Sequence, residues 1–508
     1  MQDHHAPGVS TGGKIKNAPR IETDYARATA IGTLQLTAAE SLGLLLGFGI
    51  SFILTRRLGP ELYGLYSVAV AVVLWIELST HYMFHQATIK FLAEASDWEE
   101  TASALIQAAL VVGIAAAALL AISAPALSVW LKSRELTLYL CLLALDIPLY
   151  TVAHGHRSTL IGRGAFGSGA LPETVYWLTR FLLVVLLTGL GFSVTGAILA
   201  IVGASVVRFF VARLLIHPPL LKQSSLSLRP VLGYALPLFL HGISMRLIAR
   251  IDLLFVQALS GSAAAAGYYG AAQNLAITPL GTFATSISSP LLATVARLRQ
   301  AEHGEAAQKM IGRAMHLLLC LLPFAALAAG ASMEIVRLAY GGSFLPTAPL
   351  FAWLIFGGVA LIVLSACGVL FTAAGKPGVM LVLTGPLLPL VMVGHWLLIP
   401  RYGAIAAAAV TTIAISMVAL VSMLGVCRLW GVRPPLDTAL RSSLISAFAY
   451  LVAARWHTPG FLLFGKLLAI ALAIALALVL LGEFSAEEMA LLRSLLRGAG
   501  GHKMQRWS

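Results

Sequence analysis

The chain has 508 residues, of which 59% are hydrophobic and 11% charged, and its mean hydropathy is +0.89. Soluble domains carry about 25% charged residues, so the composition excludes a soluble protein and indicates a polytopic membrane protein. The net charge of +13 fits the lysine and arginine bias of cytoplasmic membrane loops rather than a nucleic-acid surface.

Residues 1–28 are polar and mildly basic, with no apolar core of the kind a cleavable signal needs, and are expected to form a flexible cytoplasmic tail. Apolar runs of spanning length follow at roughly 30–54, 64–89, 102–122, 136–155, 171–190, 194–215, 232–258, 267–294, 310–331, 348–374, 378–399, 403–429, 439–454 and 460–482. The expected fold is therefore an all-α polytopic membrane protein of about fourteen transmembrane helices. Its connections are too short to hold a soluble catalytic domain. Cys141, Cys320, Cys367 and Cys427 lie in the apolar runs without a CxxC pair. No disulfide frame, metal site or cofactor motif is expected.

In the first span Glu40 is a polar outlier, and Gly43 and Gly47 make a GxxxG spacing that favours close helix packing. In the second, Glu77, His81 and His85 recur every fourth residue and form one stripe along the helix. A carboxylate beside imidazoles suits proton relay; the same stripe also fits a hydrogen-bonded seam between helices. GRGAFG at 162–167 matches GxGxxG, but it follows an apolar helix rather than a strand. It is expected to form a tight turn before Pro172 rather than a nucleotide site. Arg180 stands inside the fifth span.

The seventh span carries His241, Arg246, Arg250 and Asp252. A charge at bilayer depth costs between about 2.5 and about 17 kcal/mol, so such residues turn toward protein or a wet cavity. Arg246 and Arg250 share a helix face, while Asp252 lies about 200° round from Arg250 and falls nearer the azimuth of His241. The stripe fits a cation-lined cavity for an anionic cargo; structural salt links between packed helices fit it as well. If the first two spans of each half face one cavity, Glu77 and Arg246 meet across it at mid-depth. Gln273 and Asn274 in the eighth span add neutral polar lining, and Pro279 marks a kink. None of the histidines accompanies a GxSxG nucleophile signature. Beyond the last span, Ser485 and Glu488 form a capping-box spacing ahead of a leucine- and arginine-bearing stretch, so an interfacial helix is expected there.

Counting Lys and Arg over alternate loops gives roughly 23 on the side of the N-terminus and roughly 8 on the other, which places both termini in the cytoplasm. The chain also repeats weakly at a period near 200 residues. Gly64 and Tyr66 of LGPELYGLYSVA match Gly267 and Tyr269 of SGSAAAAGYYGAA, IGRG at 161–164 is echoed by AGKP at 374–377, and TGAILA at 195–200 recurs as YGAIAA at 402–407. Two six-helix lobes around a central cavity follow, with two C-terminal helices outside the repeat. The expected division is an N-lobe over 29–220, a C-lobe over 221–430, two further spans over 431–482, and a cytoplasmic interfacial helix with tail over 483–508.

LTRRLGPELYGLYSVAVAV at 54–72 resembles the first-to-second span junction of bacterial polysaccharide flippases, members of the multidrug/oligosaccharidyl-lipid/polysaccharide exporter superfamily. ATIKFLAEA at 87–95 is similar to the segment that follows there, with Lys90 where the family usually has arginine. ALPLFLHGISMRLIARIDLLFVQALSG and AGYYGAAQNLA resemble the matching part of the second lobe, including the Arg250-x-Asp252 spacing. The resemblance implies an alternating-access flippase for a polyprenyl-pyrophosphate-linked oligosaccharide in the bacterial inner membrane. Arg246, Arg250 and Arg180 would then bind the pyrophosphate, since guanidinium forks suit phosphate oxygens. The implied partners are the lipid-linked cargo, membrane lipid, a coupling ion (H+ or Na+) and polysaccharide polymerase or assembly proteins, with no nucleic acid. A multidrug or cation antiporter of the same superfamily, and a membrane enzyme or polymerase acting on lipid-linked glycans, are the alternatives.

Overall fold

The structure is a computed structural model that describes residues 18–94, 97–219, 251–300, 304–376 and 378–483. All regular structure among these residues is helical. In chain order the α-helices are α1 (Ala18–Glu94), α2 (Trp98–Trp130), α3 (Glu135–Ala144), α4 (Asp146–Gly162), α5 (Phe166–Gly189) and α6 (Ser193–Leu215). After the short apolar helix α7 (Ile251–Ser260) come α8 (Ala263–Gln300), α9 (Gly304–Leu319), α10 (Leu322–Gly330), α11 (Ser332–Tyr340) and α12 (Thr347–Ala373). The remainder is α13 (Gly378–Thr384), α14 (Leu387–Tyr402), α15 (Ala404–Trp430), α16 (Leu436–Arg455) and α17 (Leu462–Leu480). Among the described residues, ten helical segments are long and apolar enough to cross a membrane.

The first two expected spans are one helical run, α1, bent at Gly59. There φ is +73° and ψ 177°, a conformation that glycine reaches without a Cβ clash. Pro60 follows at a position where its missing N–H costs little, the start of a new helix. Prolines also shape the second half. Pro323 opens α10 after a break at Cys320–Leu321, and Pro386 precedes α14, so two runs that read as single spans are each built from two helices. By contrast α8 continues from Ala263 to Gln300 through Pro279 and Pro290. GRGAFG makes the expected turn: α4 ends at Gly162, Gly164 takes φ +77°, and α5 begins at Phe166. Between α10 and α12, where the hydropathy shows only a loop, α11 and a 3₁₀ turn at Gly342–Phe344 form instead. Val336 and Tyr340, four residues apart, face inward and hold that helix on the bundle.

Helices at the bundle rim show the burial pattern that lipid demands. On α17, Leu468, Leu472, Leu476 and Leu480 recur every fourth residue and are exposed, while Leu463, Lys466, Ile470, Ile474 and Leu478 face inward. In a bilayer the outward stripe is solvated by acyl chains, so an apolar surface is stable there.

The two halves meet at the end where α1 bends and α7 turns into α8. Gly64 packs its backbone on Ala263 and Gly267, and Gly267 packs on Pro60. The repeat-related glycines thus face each other across the contact. A cluster of rings and hydroxyls closes this end. Tyr63 Oη lies 2.9 Å from Ser51 Oγ and accepts from Asn274 Nδ2 at 2.9 Å, and Ser51 Oγ reaches Tyr340 Oη at 3.3 Å. Phe344 stands edge-on to Tyr63 and Tyr268, at 5.7 and 5.9 Å between ring centres. A Cβ at Gly64 or Gly267 would overlap the facing backbone. Gly64→Ala is therefore expected to strain this closed state by about 1–3 kcal/mol and to shift its population about fivefold or more. A cysteine placed at Ser67, just behind the contact, should react correspondingly faster with a membrane-impermeant maleimide added at the bent end of α1.

Candidate functional site

Inward of this seal lies a cavity of about 510 Å³ bordered by α1, α4, α5, α7 and α8. Its charged and polar lining includes Glu40, Tyr63, Tyr66, His81, Arg157, Glu173, Arg180 and Asn274. The GxxxG pair helps to shape it. Gly43 and Gly47 admit the indole of Trp177 rather than a helix backbone: a Cβ at Gly43 would stand 2.5 Å from Trp177 Nε1.

Trp177 in turn flanks Arg180, whose guanidinium carbon is 5.3 Å from the indole centre. Arg180 Nη2 donates to Tyr66 Oη at 2.8 Å and Nη1 donates to Tyr176 Oη at 3.2 Å. These hydroxyls hold the fork in place without neutralising it. Among the described residues Arg180 Nε has no hydrogen-bond partner and no carboxylate lies within ion-pair distance of Arg180. A second cavity arginine among the described residues, Arg157, has a partner: its Nη2 is 3.9 Å from Glu40 Oε1, and its Nε donates to Gly169 O at 3.1 Å. A guanidinium in a cavity with rigid neutral hydroxyl partners and a spare N–H is a site prepared for an anion.

Behind Arg180 is a second layer of charge. Arg208 of α6 is buried; its Nη1 donates to His154 Nε2 at 3.2 Å and stands 3.8 Å from Glu173 Oε2, and its Nη2 donates to Ser205 Oγ at 3.1 Å. It also lies over the rings of Tyr176 and Tyr150, at 4.2 and 4.9 Å. Glu77 is buried here against the carboxyl of Asp146, the first residue of α4. One turn along α1, His81 stacks on His85 at 4.8 Å and meets His154 edge-on at 4.6 Å. His85 pairs through Nδ1 with Ser158 Oγ at 2.8 Å. Glu77, His81 and His85 thus share one seam, with His81 reaching the cavity and Glu77 behind its wall.

The expected residues of the second half are placed differently. Asp252 is buried between α7, α8 and α15: its Oδ2 accepts from Tyr269 Oη at 2.6 Å and Thr411 Oγ1 at 3.3 Å, and its Oδ1 accepts from Gln273 Nε2 at 2.9 Å. Thr411 also pairs with His395 Nε2 at 3.4 Å. Asp252 and Gln273 form this separate polar knot, whereas Asn274 points to the cavity. His241, Arg246 and Arg250 lie outside the described residues, as do the expected meeting of Arg246 with Glu77 and the interfacial helix after Glu483. Sequence reasoning missed Asp146, His154 and Arg208. The signal was present: each is an ionisable residue inside an apolar run, the criterion that singled out Arg180.

The helices and cavity together define a polytopic all-helical membrane fold with a cleft between its helices. The solved structures that share it support that class. The chain matches the lipid II flippase MurJ in its inward closed conformation with a TM-score of 0.68 at 16% identity, covering 91% of this chain and 100% of that one. It matches an inward-facing multidrug resistance MATE transporter of the MOP superfamily with a TM-score of 0.59 at 15% identity, covering 80% and 96%. The Vibrio cholerae MATE transporter VcmN matches with a TM-score of 0.55 at 13% identity, covering 80% and 100%. No curated protein matches by sequence. The chain belongs to the polysaccharide biosynthesis protein family, whose model matches residues 30–299.

Proposed function

We propose that this protein is an alternating-access flippase that carries a polyprenyl-pyrophosphate-linked oligosaccharide across the bacterial inner membrane for cell-surface polysaccharide synthesis. The observation that carries this reading is Arg180, a cavity-lining guanidinium held by Tyr66 and Tyr176 with no carboxylate within ion-pair distance among the described residues. A pyrophosphate is an anion whose oxygens such a fork suits. Membership of the polysaccharide biosynthesis family supplies the polymer context, and the similarity to a lipid II flippase supplies a precedent for lipid-linked cargo on this fold.

In the mechanism that follows, the headgroup enters the cavity while the polyprenyl tail stays in the bilayer. Arg180, and by expectation Arg246 and Arg250, take the pyrophosphate, and the sugar occupies the wet volume beside Glu40, His81 and Asn274. The seal at Gly64, Gly267 and Tyr63 opens as the opposite end closes, and the cargo leaves on the other side. The lysine and arginine bias assigns the sealed end to the periplasm and both termini to the cytoplasm. Polymerase or assembly proteins are the natural downstream partners.

The MATE similarity favours a second reading, a drug or cation antiporter. A cell lacking the protein distinguishes the two. Loss of surface polymer with unchanged drug susceptibility supports the flippase; full surface polymer with heightened drug susceptibility supports the antiporter. A membrane glycan enzyme or polymerase, the remaining alternative, would form product from lipid-linked substrate when purified alone, and the flippase reading predicts translocation without product.

A further inference from the structure

We propose that His316, Cys320 and Glu483 form a binding site for a transition-metal dication of the zinc type, which ties α9 to the chain just beyond α17 and so fastens the last two helices to the second half. None of the three residues borders the cavity, and the site does not depend on the flippase reading.

Two of the ligands share one helix face. His316 lies on α9, and the Cys320 N–H donates to His316 O at 3.2 Å, so the helical turn carries through the end of α9 and sets the thiol one turn beyond the imidazole. The third ligand, Glu483, follows α17, 167 residues beyond His316, so no ligand spacing shows in the sequence. An imidazole nitrogen, the thiol sulfur and a carboxylate oxygen of these residues lie within 4.8 Å of one another. Tetrahedral zinc, with bonds of about 2.0–2.3 Å, holds such donors about 3.3–3.6 Å apart, so inward movements of about 1 Å or less close the site. Cys320 and Glu483 are buried, while the His316 side chain is 25% exposed, which leaves the ion a way in.

The hydrogen bonds call for a cation at this spot. Thr438 Oγ1 donates to Glu483 Oε2 at 3.0 Å and stands 2.8 Å from His316 Nδ1. A hydroxyl has one hydrogen. With that hydrogen on the carboxylate, Thr438 accepts from Nδ1–H, and the lone pair of the neutral ring is on Nε2. Yet Nε2 faces two acceptors, Glu483 O at 2.6 Å and Oε2 at 3.0 Å. A second proton or a metal ion on Nε2 reconciles them. Cys320 decides between the two: a thiol has no part in an imidazolium–carboxylate pair, but it completes the N, S and O donor set that a borderline ion such as Zn2+ takes. The thiol gives up its proton to water as the metal binds. The charges then agree, because the thiolate and the Glu483 carboxylate match a dication. Arg441 Nη1 donates to the other carboxylate oxygen, Oε1, at 3.1 Å, so it orients this ligand and leaves Oε2 to the metal. Thr438 orients the imidazole in the same way, and water takes the fourth position.

The test uses purified full-length protein, free of any metal-affinity tag and stripped with a chelator, titrated with Co2+ as a spectroscopic stand-in for Zn2+. The wild type should bind one ion per chain and show the near-ultraviolet charge-transfer band of a cobalt-bound thiolate, and Zn2+ should abolish that band by displacement. Cys320→Ser should lose the band, and His316→Ala should weaken binding by about a hundredfold or more. Thr438→Val, which touches no metal–ligand bond, should keep the band at an affinity about tenfold weaker. Zn2+ should also raise the melting midpoint of the wild type but not that of Cys320→Ser. A wild-type titration without the band, which needs no variant to fold, overturns the proposal and leaves an imidazolium–carboxylate pair in its place. A band that Cys320→Ser and His316→Ala both retain overturns it too, since the ion is then adventitious and bound elsewhere on the chain. Neither result bears on the flippase reading, which translocation tests separately.

Discussion

Arg180→Ala is expected to weaken binding of a pyrophosphate-bearing lipid by ten- to a hundredfold or more. A hydrogen bond to a charged group is worth about 1.5–3 kcal/mol, and each 1.4 kcal/mol is about a factor of ten in affinity. The low end of that range applies if Arg246 and Arg250 share the headgroup; the high end applies if Arg180 is the principal contact. Arg180→Lys should recover only part of the loss. An ammonium keeps the charge, but it lacks the planar fork that Tyr66 and Tyr176 hold in register. The substitution should leave folding intact, because Arg180 has no ion pair to break among the described residues. In cells the prediction reads as lost surface polymer at unchanged protein level.

The second large effect is one of stability, and it lies far from the cavity. Lys466 stands about one turn into α17 on an otherwise apolar face, its side chain fully buried, with Nζ 2.6 Å from Glu334 Oε2. Glu334 Oε1 also accepts from the Thr458 backbone N–H at 2.9 Å. One carboxylate thus joins α11, the loop before α17, and α17 itself. Removing one partner of a buried pair leaves an uncompensated charge and costs about 3–5 kcal/mol. Lys466→Ala is therefore expected to lower the melting midpoint of the full-length protein in detergent by roughly 5 °C. Lys466→Met combined with Glu334→Gln should recover most of that loss, because neither residue is then left charged and Gln still accepts from Thr458. A double variant as unstable as the single would show that packing of the lysine stem, not charge, is what matters. At the other end of α17, Glu483 makes a comparable tie, accepting from Arg441 Nη1 at 3.1 Å and Thr438 Oγ1 at 3.0 Å beside His316. The last two helices are thus clamped to the second half at both ends.

The fold class was readable from the sequence because bilayer thickness imposes a length and a composition on every span. The expected repeat rested on a few small and aromatic residues. Of the residues that suggested it, Gly64 and Gly267 face each other in the structure, and no larger residue fits their contact. Where local chemistry decides, hydropathy was silent. It showed α11 as a loop, although Val336 and Tyr340 give it an inward face, and it gave single spans where Pro323 and Pro386 start new helices. The site divides along the same line. Arg180 stood out as a charge inside an apolar run, and it does border the cavity. That Asp252 is tied down by Tyr269, Gln273 and Thr411, or that Glu77 rests on Asp146, depends on which helix faces which. Periodicity along one helix carries no such information. Tyr66 and Tyr269 illustrate the limit: they are repeat-related, yet one accepts from an arginine and the other donates to an aspartate.

The most direct test of the account is translocation by the purified protein alone. Reconstituted into liposomes with a short polyprenyl-pyrophosphate-linked oligosaccharide, the wild type should expose the inner-leaflet sugar to an impermeant glycosidase outside, and Arg180→Ala, incorporated equally, should not. Equal rates for the two proteins, or no transfer above empty liposomes, would contradict it.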